Sequence, residues 1–219
     1  MLLALADILP HSARSEILDD ISKLEFVDGQ ATAGWSARQV KNNLQAARDP
    51  LGDSIASRIT DALLASDVLR IAALPKRVIG PMLTRYEPGH AYGIHTDDAI
   101  LDGSRADLSF TLFLSDQSAY AGGELVIERP DGEHSHKLDG GSLLLYPATT
   151  LHRVEPVTRG RRDAAVGWIR SYIRSADQRE LLFDLETARR RIFEASGKTH
   201  EFDLLAKCAA NLLRMWADD

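Results

Sequence analysis

The sequence predicts a mainly β fold flanked by helices, and three observations carry that reading. Apolar residues repeat with a helical period up to about residue 75, switch to a period of two from about 76 to 174, and return to the helical period from about 176 onward. The middle zone reads as seven short strands, LSFTLFLS and SLLLYP among them, at roughly ten-residue spacing, which suits a sandwich, jelly roll or barrel. The composition, 44% apolar and 26% charged over 219 residues, is that of a globular chain rather than a disordered or coiled-coil one.

Taken in order, MLLALADILP reads as a buried opening strand, because it lacks a basic leader and is broken by Asp7 and Pro10. In SARSEILDDISKLEF, Ile17, Leu18, Ile21 and Leu24 share a helical face, with Ser12 as the expected cap. VDGQATAGWSARQVKNNLQ reads as strand and loop. A second helix follows, with Leu51, Ile55, Ile59 and Leu63 four residues apart and Pro50 in its first turn. The predicted strands are then RVIGPMLTRY, LSFTLFLS, GELVIER, HSHKL, SLLLYP, TLHRVEPV and AAVGWIRSYIRS. PDGE at 130–133 is a turn, since Asp131-Gly132 supplies the backbone freedom a hairpin needs. Leu108, Phe110, Leu112 and Leu114 alternate with Ser109, Thr111 and Phe113, so one face of that strand is expected in the core. The last zone predicts two antiparallel helices around a turn at Gly197: one stripe of Leu181, Leu182, Leu185, Ala188 and Ile192, another of Leu204, Leu205, Cys208, Leu212, Met215 and Trp216. The division is thus 1–175 for the β domain with its N-terminal helices and 176–219 for a C-terminal helical hairpin. A unit that short is near the lower limit for folding alone, so the hairpin is expected to pack on the β domain or on a second copy, and a homo-oligomer through these helices is the expectation.

The net charge of −6 argues against nucleic acid and anionic membranes as partners. No apolar run reaches the roughly 18 residues of a membrane span. Cys208 is the single cysteine, so no intramolecular disulfide forms and a cytoplasmic location is expected.

Of seven histidines, His95 stands two residues before Asp97. In an extended strand such residues point to one side, so an imidazole and a carboxylate can reach one metal; on its own the pair is equally a solvated loop feature. A third ligand from another strand completes a two-histidine, one-carboxylate set that suits non-haem Fe(II). His152, in a strand beside an apolar wall, qualifies. His134 and His136 flank a charged hairpin turn and read as exposed, His90 reads as a turn residue, and His11 and His200 fall outside the β zone. A dicarboxylate chelating such a metal at one end needs a cation at the other. Among Arg153, Arg159, Arg161 and Arg162, alternation favours Arg162, which shares a strand face with Ala164, Val166, Trp168 and Arg170; a surface charge in the turn TRGRR is the competing reading.

YEPGHAYGIHTDD resembles the Tyr-x-x-Gly…Tyr-x-x-His-x-Asp signature of the prolyl-4-hydroxylase-type Fe(II)/2-oxoglutarate dioxygenases. GGEL at 122–125 is similar to the motif of the strand preceding that family's second histidine, and LHRVEPVTRGRR to its distal segment, where a basic residue, here Arg162, follows the histidine by ten residues. AGWSARQVKNNLQ at 33–45 and HRVEPVTRGRR resemble the bacterial PKHD-type hydroxylases, a branch associated with iron uptake. The resemblance covers nearly the whole chain. It implies a double-stranded β-helix (jelly-roll) core, His95, Asp97 and His152 as iron ligands, and Arg162 as the anchor of the distal 2-oxoglutarate carboxylate. Many prolyl hydroxylases carry Lys at that last position; Arg is usual in the PKHD branch. Tyr86 resembles a position whose hydroxyl also reaches the co-substrate, or is an ordinary strand tyrosine. Tyr92 either lines the pocket or packs, Trp168 reads as pocket wall, and Arg170 contacts substrate or forms a structural ion pair. The implied reaction consumes 2-oxoglutarate and O2 and yields succinate, CO2 and a hydroxylated small-molecule or peptidyl substrate, with L-ascorbate as a reductant for oxidised iron. A non-catalytic iron- and 2-oxoglutarate-binding sensor module is the alternative.

Overall fold

In a computed structural model, which describes residues 1–32 and 34–218, two antiparallel sheets face each other and helices cover the outer face of the larger one. Ala33, the first residue of AGWSARQVKNNLQ, lies outside the described residues. The N-terminal zone comprises β1 (Leu3–Leu5), α1 (His11–Ile21), β2 (Phe26–Asp28), β3 (Lys41–Asn42), β4 (Leu44–Ala46), α2 (Pro50–Ala65) and α3 (Asp67–Ala73). The β zone follows as β5 (Pro75–Tyr86), β6 (Ala91–His95), β7 (Ile100–Leu101), β8 (Ser104–Arg105), β9 (Leu108–Phe113), β10 (Tyr120–Gly122), β11 (Leu125–Arg129) and β12 (Gly132–His136). It ends with β13 (Leu143–Pro147), β14 (His152–Val154), β15 (Val157–Gly160) and β16 (Arg162–Ser171), after which α4 (Ala176–Ser196) and α5 (His200–Trp216) close the chain. The larger sheet has the order β1-β13-β9-β16-β5-β4-β2 and the smaller β12-β11-β14-β6-β3. This is the expected jelly roll. One residue, Asn43, separates β3 from β4 although they belong to different sheets, so the 41–46 segment spans the gap between β6 and β5.

Helix α2 forms as the pattern requires. The Asp49 carboxylate accepts from the Leu51 N–H at 2.7 Å, Pro50 occupies the first turn, and Ile55, Ile59 and Leu63 are fully buried. Burying each of these side chains stabilises the fold by about 1.5–3 kcal/mol. Helix α1 departs from expectation: it begins at His11 after Pro10, and Ser12 lies inside the helix rather than capping it. Pro10 has no N–H to satisfy and its fixed φ leads into the first turn. The opening strand is an edge strand, half-buried rather than buried, because β13 pairs with it on one side only.

Strand β9 is buried on both faces. Leu108, Phe110, Leu112 and Leu114 pack into the core beneath the helices, as the alternation predicts. Ser109, Thr111 and Phe113 face the space between the sheets, so the polar side of the alternation is an interior wall rather than a solvent face. The PDGE turn is present: β11 and β12 pair with Arg129 opposite Gly132, whose φ is +121°. TLHRVEPV divides into β14 and β15 at Glu155-Pro156, since a proline cannot donate to a ladder.

The C-terminal helices are capped by Ser175 and Thr199, and Gly197, with φ +69°, provides the turn between them. Their apolar stripes are displaced from the predicted ones. Leu182 is buried, whereas Leu181 is 47% exposed, Leu204 45% and Met215 73%; Cys208 is also exposed. Ala206, Ala209 and Ala210 of α5 instead line an open cleft between α3, α4 and α5. At the chain end, the Asp218 N–H donates to the Tyr172 carbonyl at 2.8 Å and its carboxylate pairs with Arg105 at 2.9 Å, which ties the helical pair to the β zone. Among the described residues no helix is long and apolar enough to cross a membrane.

Candidate metal centre and its cavity

A cavity lies between the two sheets, and His95, Asp97 and His152 share its wall. Strands β6 and β14 pair with His95 directly opposite His152, and the ring centroids are 4.3 Å apart. Asp97 follows in the two residues past the end of β6, so the i, i+2 relation holds across a strand end rather than within a strand. One ligand atom from each of the three residues lies within 4.8 Å of the others.

Both imidazoles are set up to present Nε2. His95 Nδ1 lies 2.8 Å from the Gly93 carbonyl and His152 Nδ1 lies 3.0 Å from the Thr150 carbonyl. A carbonyl only accepts, so each Nδ1 carries the proton and each Nε2 keeps a free lone pair. Tyr92 stacks on His95 with centroids 3.6 Å apart, and Tyr146 meets His152 edge-on at 5.1 Å, which fixes both ring planes. The Ser109 hydroxyl donates to Asp97 Oδ2. Burial, reinforced by the neighbouring His152, pushes the His95 imidazolium down to about 4, so at neutral pH the ring is in its ligating, uncharged form. Two imidazole nitrogens and one carboxylate oxygen on one side of a cavity fit a divalent metal of the non-haem Fe(II) kind.

Arg162 stands opposite Tyr86 in the β16–β5 ladder and is 1% exposed. Among the described residues it has no ion-pair partner, and its Nε and Nη1 atoms have no hydrogen-bond acceptor. Its guanidinium lies 5.1 Å from the centre of the Tyr86 ring and 5.4 Å from that of Phe113. An unpaired buried cation is costly, so this wall fits an incoming carboxylate. The GGEL glycines make room for it. A Cβ at Gly123 would meet Arg162 Cδ at 3.1 Å, and at Gly122 it would meet the Pro156 carbonyl oxygen at 2.0 Å; both residues have positive φ. The neighbouring arginines point elsewhere: Arg161 pairs with Asp163 at 3.0 Å, and Arg153 pairs with Glu133 and Glu155.

Tyr86, Tyr92 and Trp168 line the cavity. Burial raises the Tyr86 hydroxyl above its ordinary range and keeps it protonated. Arg170 is not brought to the cavity. Two residues beyond Trp168 the strand has run about 7 Å further, where Arg170 faces Asp218 at 3.8 Å. The remaining histidines are remote from the triad's wall: His134 pairs with Asp131 on the β11–β12 hairpin, His136 follows it in β12, His90 accepts from the Glu87 N–H in its turn, and His11 and His200 open α1 and α5.

Sequence reasoning assigned no site role to Lys41, Asn43 and Gln45, which line the same cavity from the 41–46 segment, nor to Ser109 and Tyr146. The segment 33–45 was distinctive as a motif, but only the crossing between sheets turns its polar residues inward.

Comparison with known proteins agrees with this geometry. Residues 81–170 match the family model of the 2OG-Fe(II) oxygenase superfamily, and residues 177–218 match that of the PKHD-type hydroxylase C-terminal domain. A PKHD-type hydroxylase of Picosynechococcus sp. is 48% identical over 219 residues, and one of Synechococcus sp. (strain JA-3-3Ab) is 50% identical over 223, each covering 100% of both chains. The crystal structure of a Pseudomonas putida prolyl-4-hydroxylase shares the fold with a TM-score of 0.55 at 22% identity, over 78% of this chain and 92% of that one. HygX from Streptomyces hygroscopicus, solved with nickel and 2-oxoglutarate bound, gives 0.57 at 13% identity, over 78% of this chain and 84% of that one. Similar to its relatives along its whole length, the chain belongs to the PKHD-type hydroxylases of the 2OG-Fe(II) oxygenase superfamily.

Proposed function

We propose that this chain hydroxylates a small-molecule or peptidyl substrate at a centre where His95, Asp97 and His152 hold Fe(II) and Arg162 anchors 2-oxoglutarate. Membership of the superfamily makes the enzyme an oxygenase that uses iron, 2-oxoglutarate and O2. The observation that carries the residue assignment is the presence, in one cavity, of three converging donors and a buried guanidinium with no anion of its own. When bound, iron supplies the oxidising chemistry: 2-oxoglutarate, O2 and R–H become succinate, CO2 and R–OH. The protein's part is positioning and exclusion of water. Arg162 donates paired N–H bonds to the far carboxylate. The protonated Tyr86 hydroxyl donates a further one. Tyr92 and Tyr146 hold the histidine planes, and Ser109 holds the carboxylate of Asp97. Trp168 closes the wall, and Tyr92 packs on His95 rather than entering the chemistry. The resemblance to a branch associated with iron uptake supports a role in iron homeostasis, with L-ascorbate as an accessory reductant. The acidic net charge supports a substrate other than nucleic acid, and the single cysteine supports a cytoplasmic location.

Metal replacement tests this function. Protein loaded with Fe(II) is expected to release succinate from 2-oxoglutarate, and a metabolite and siderophore panel is expected to contain compounds that raise the rate. Zn(II), Ni(II) or Co(II), which bind such donor sets at least as well, are expected to occupy the site without turnover. Full activity with Zn(II) would replace the oxygenase reading with a hydrolytic one; binding of 2-oxoglutarate without succinate under every metal would leave a sensor module.

We infer further that residues 176–219 act as a unit that contacts a second copy of the chain. Phe193, Leu204 and Met215 are 52%, 45% and 73% exposed on helices of which α4 packs against α3 and α5 against α4. Light scattering at micromolar concentration is expected to show an oligomer that Met215→Glu and Leu204→Glu shift toward monomer; a monomeric wild type would reject the contact.

A further inference from the structure

The cavity has a second polar wall that neither the metal donors nor Arg162 explain. Lys41 lies on it, 5% exposed, with its ammonium 3.0 Å from the Thr32 hydroxyl and 5.4 Å from the centre of the Tyr92 ring. Among the described residues it has no ion-pair partner. Burial pushes its ammonium down to about 8, while Asp28 and Asp97 act from a distance in the opposite sense. Beside it Gln45, 4% exposed, accepts from Thr32 through Oε1 and leaves its Nε2 hydrogens without an acceptor. Asn43, 3% exposed, leaves both ends of its amide unpartnered. A buried ammonium with spare hydrogens and two idle amides cost free energy unless a ligand completes them.

We propose that Lys41 and Gln45 form a subsite for a carboxylate of the primary substrate, so that the enzyme acts on organic acids presented with that group free. The inference rests on the proposed function, because it takes Arg162 to be occupied by 2-oxoglutarate. A carboxylate matches the wall in charge and in acceptors: one oxygen meets the Lys41 ammonium and the other the Gln45 amide. A phosphate dianion fits less well, since among the described residues Lys41 is the one cation on this wall and Arg162 the cavity's other cation. The location also suits a substrate. Lys41 packs against Tyr92, which stacks on His95, so an acid held there reaches toward the metal from the 41–46 crossing segment rather than from the β16 side.

The test uses the Zn(II)-loaded, full-length protein saturated with 2-oxoglutarate, with propionate as the probe and propionamide as its neutral match. The side-chain amide resonances of Asn43 and Gln45 are followed by NMR. Propionate is expected to shift them saturably, with an apparent constant at least about ten-fold lower than that of propionamide. Lys41→Met, which keeps the length of the side chain, is expected to abolish the difference, and Lys41→Arg to retain it. Equal effects of the two probes, no saturable shift, or an unchanged preference in Lys41→Met would overturn the proposal. So would competition, in which 2-oxoglutarate raises the propionate constant ten-fold or more, because Lys41 would then belong to the co-substrate site. The same samples report on the proposed function independently: if 2-oxoglutarate leaves the Arg162 Nε–H resonance unmoved, that reading fails whatever propionate does.

Discussion

His95→Ala, Asp97→Ala and His152→Ala each reduce succinate formation to background, a loss expected to exceed about a hundred-fold, since even partners that merely orient metal ligands cost 10–100-fold in affinity or activity. The reason is geometric. The three ligand atoms lie within 4.8 Å of one another, and both histidines are tautomerically fixed by backbone carbonyls. Deleting any one leaves two donors on a wall too sparse to hold the ion. The fold is expected to survive, because the core lies beneath the helices and between the sheets rather than at these side chains; far-ultraviolet circular dichroism checks this. His134→Ala and His136→Ala are the controls and keep activity near wild type. If His134→Ala abolished iron binding while His152→Ala did not, the third ligand would be misassigned.

Arg162→Ala is expected to raise the apparent 2-oxoglutarate constant by at least about thirty-fold with little change in iron affinity. Removing one partner of a charge-assisted, bidentate contact in a partly dry pocket costs roughly 2–5 kcal/mol, and each 1.4 kcal/mol is about a factor of ten. Arg162→Lys loses less, keeping the charge but not the fork. Arg161→Ala serves as the control: Arg161 is 48% exposed and paired with Asp163 on the opposite side of the strand. Steady-state kinetics in 2-oxoglutarate give the constants. An effect of Arg161→Ala with none of Arg162→Ala would mean that the strand register is off by one and that Trp168 leaves the cavity wall with it.

How far the sequence disclosed the molecule depended on whether a feature was local. Helix α2 was legible because its proline and its four-residue repeat lie within one segment. The His95–Asp97 spacing was legible for the same reason, and strand parity was enough to turn Arg162 inward. Contacts set by tertiary geometry were not legible. Parity carried Arg170 into the cavity with Trp168, but the length of β16 places it beyond the cavity, against Asp218. The predicted stripe of α5 did not stay buried together: Leu204 and Met215 face outward, because a helical period shows which residues share a face but not which neighbour covers it. For Ser109 and Thr111 alternation reported only that the two faces of the strand differ, and it could not show that the second sheet covers the polar one. Lys41, Asn43 and Gln45 acquire their meaning from a crossing between sheets that no period encodes.

The central claim is that this cavity couples decarboxylation of 2-oxoglutarate to the splitting of O2. Turnover of the Fe(II)-loaded protein under ¹⁸O₂, with succinate analysed by mass spectrometry, tests it most directly. The reaction predicts one ¹⁸O atom in each succinate, formed in step with CO2 and absent in His152→Ala. Succinate without the label, or formed equally by the Zn(II)-loaded protein, would contradict it.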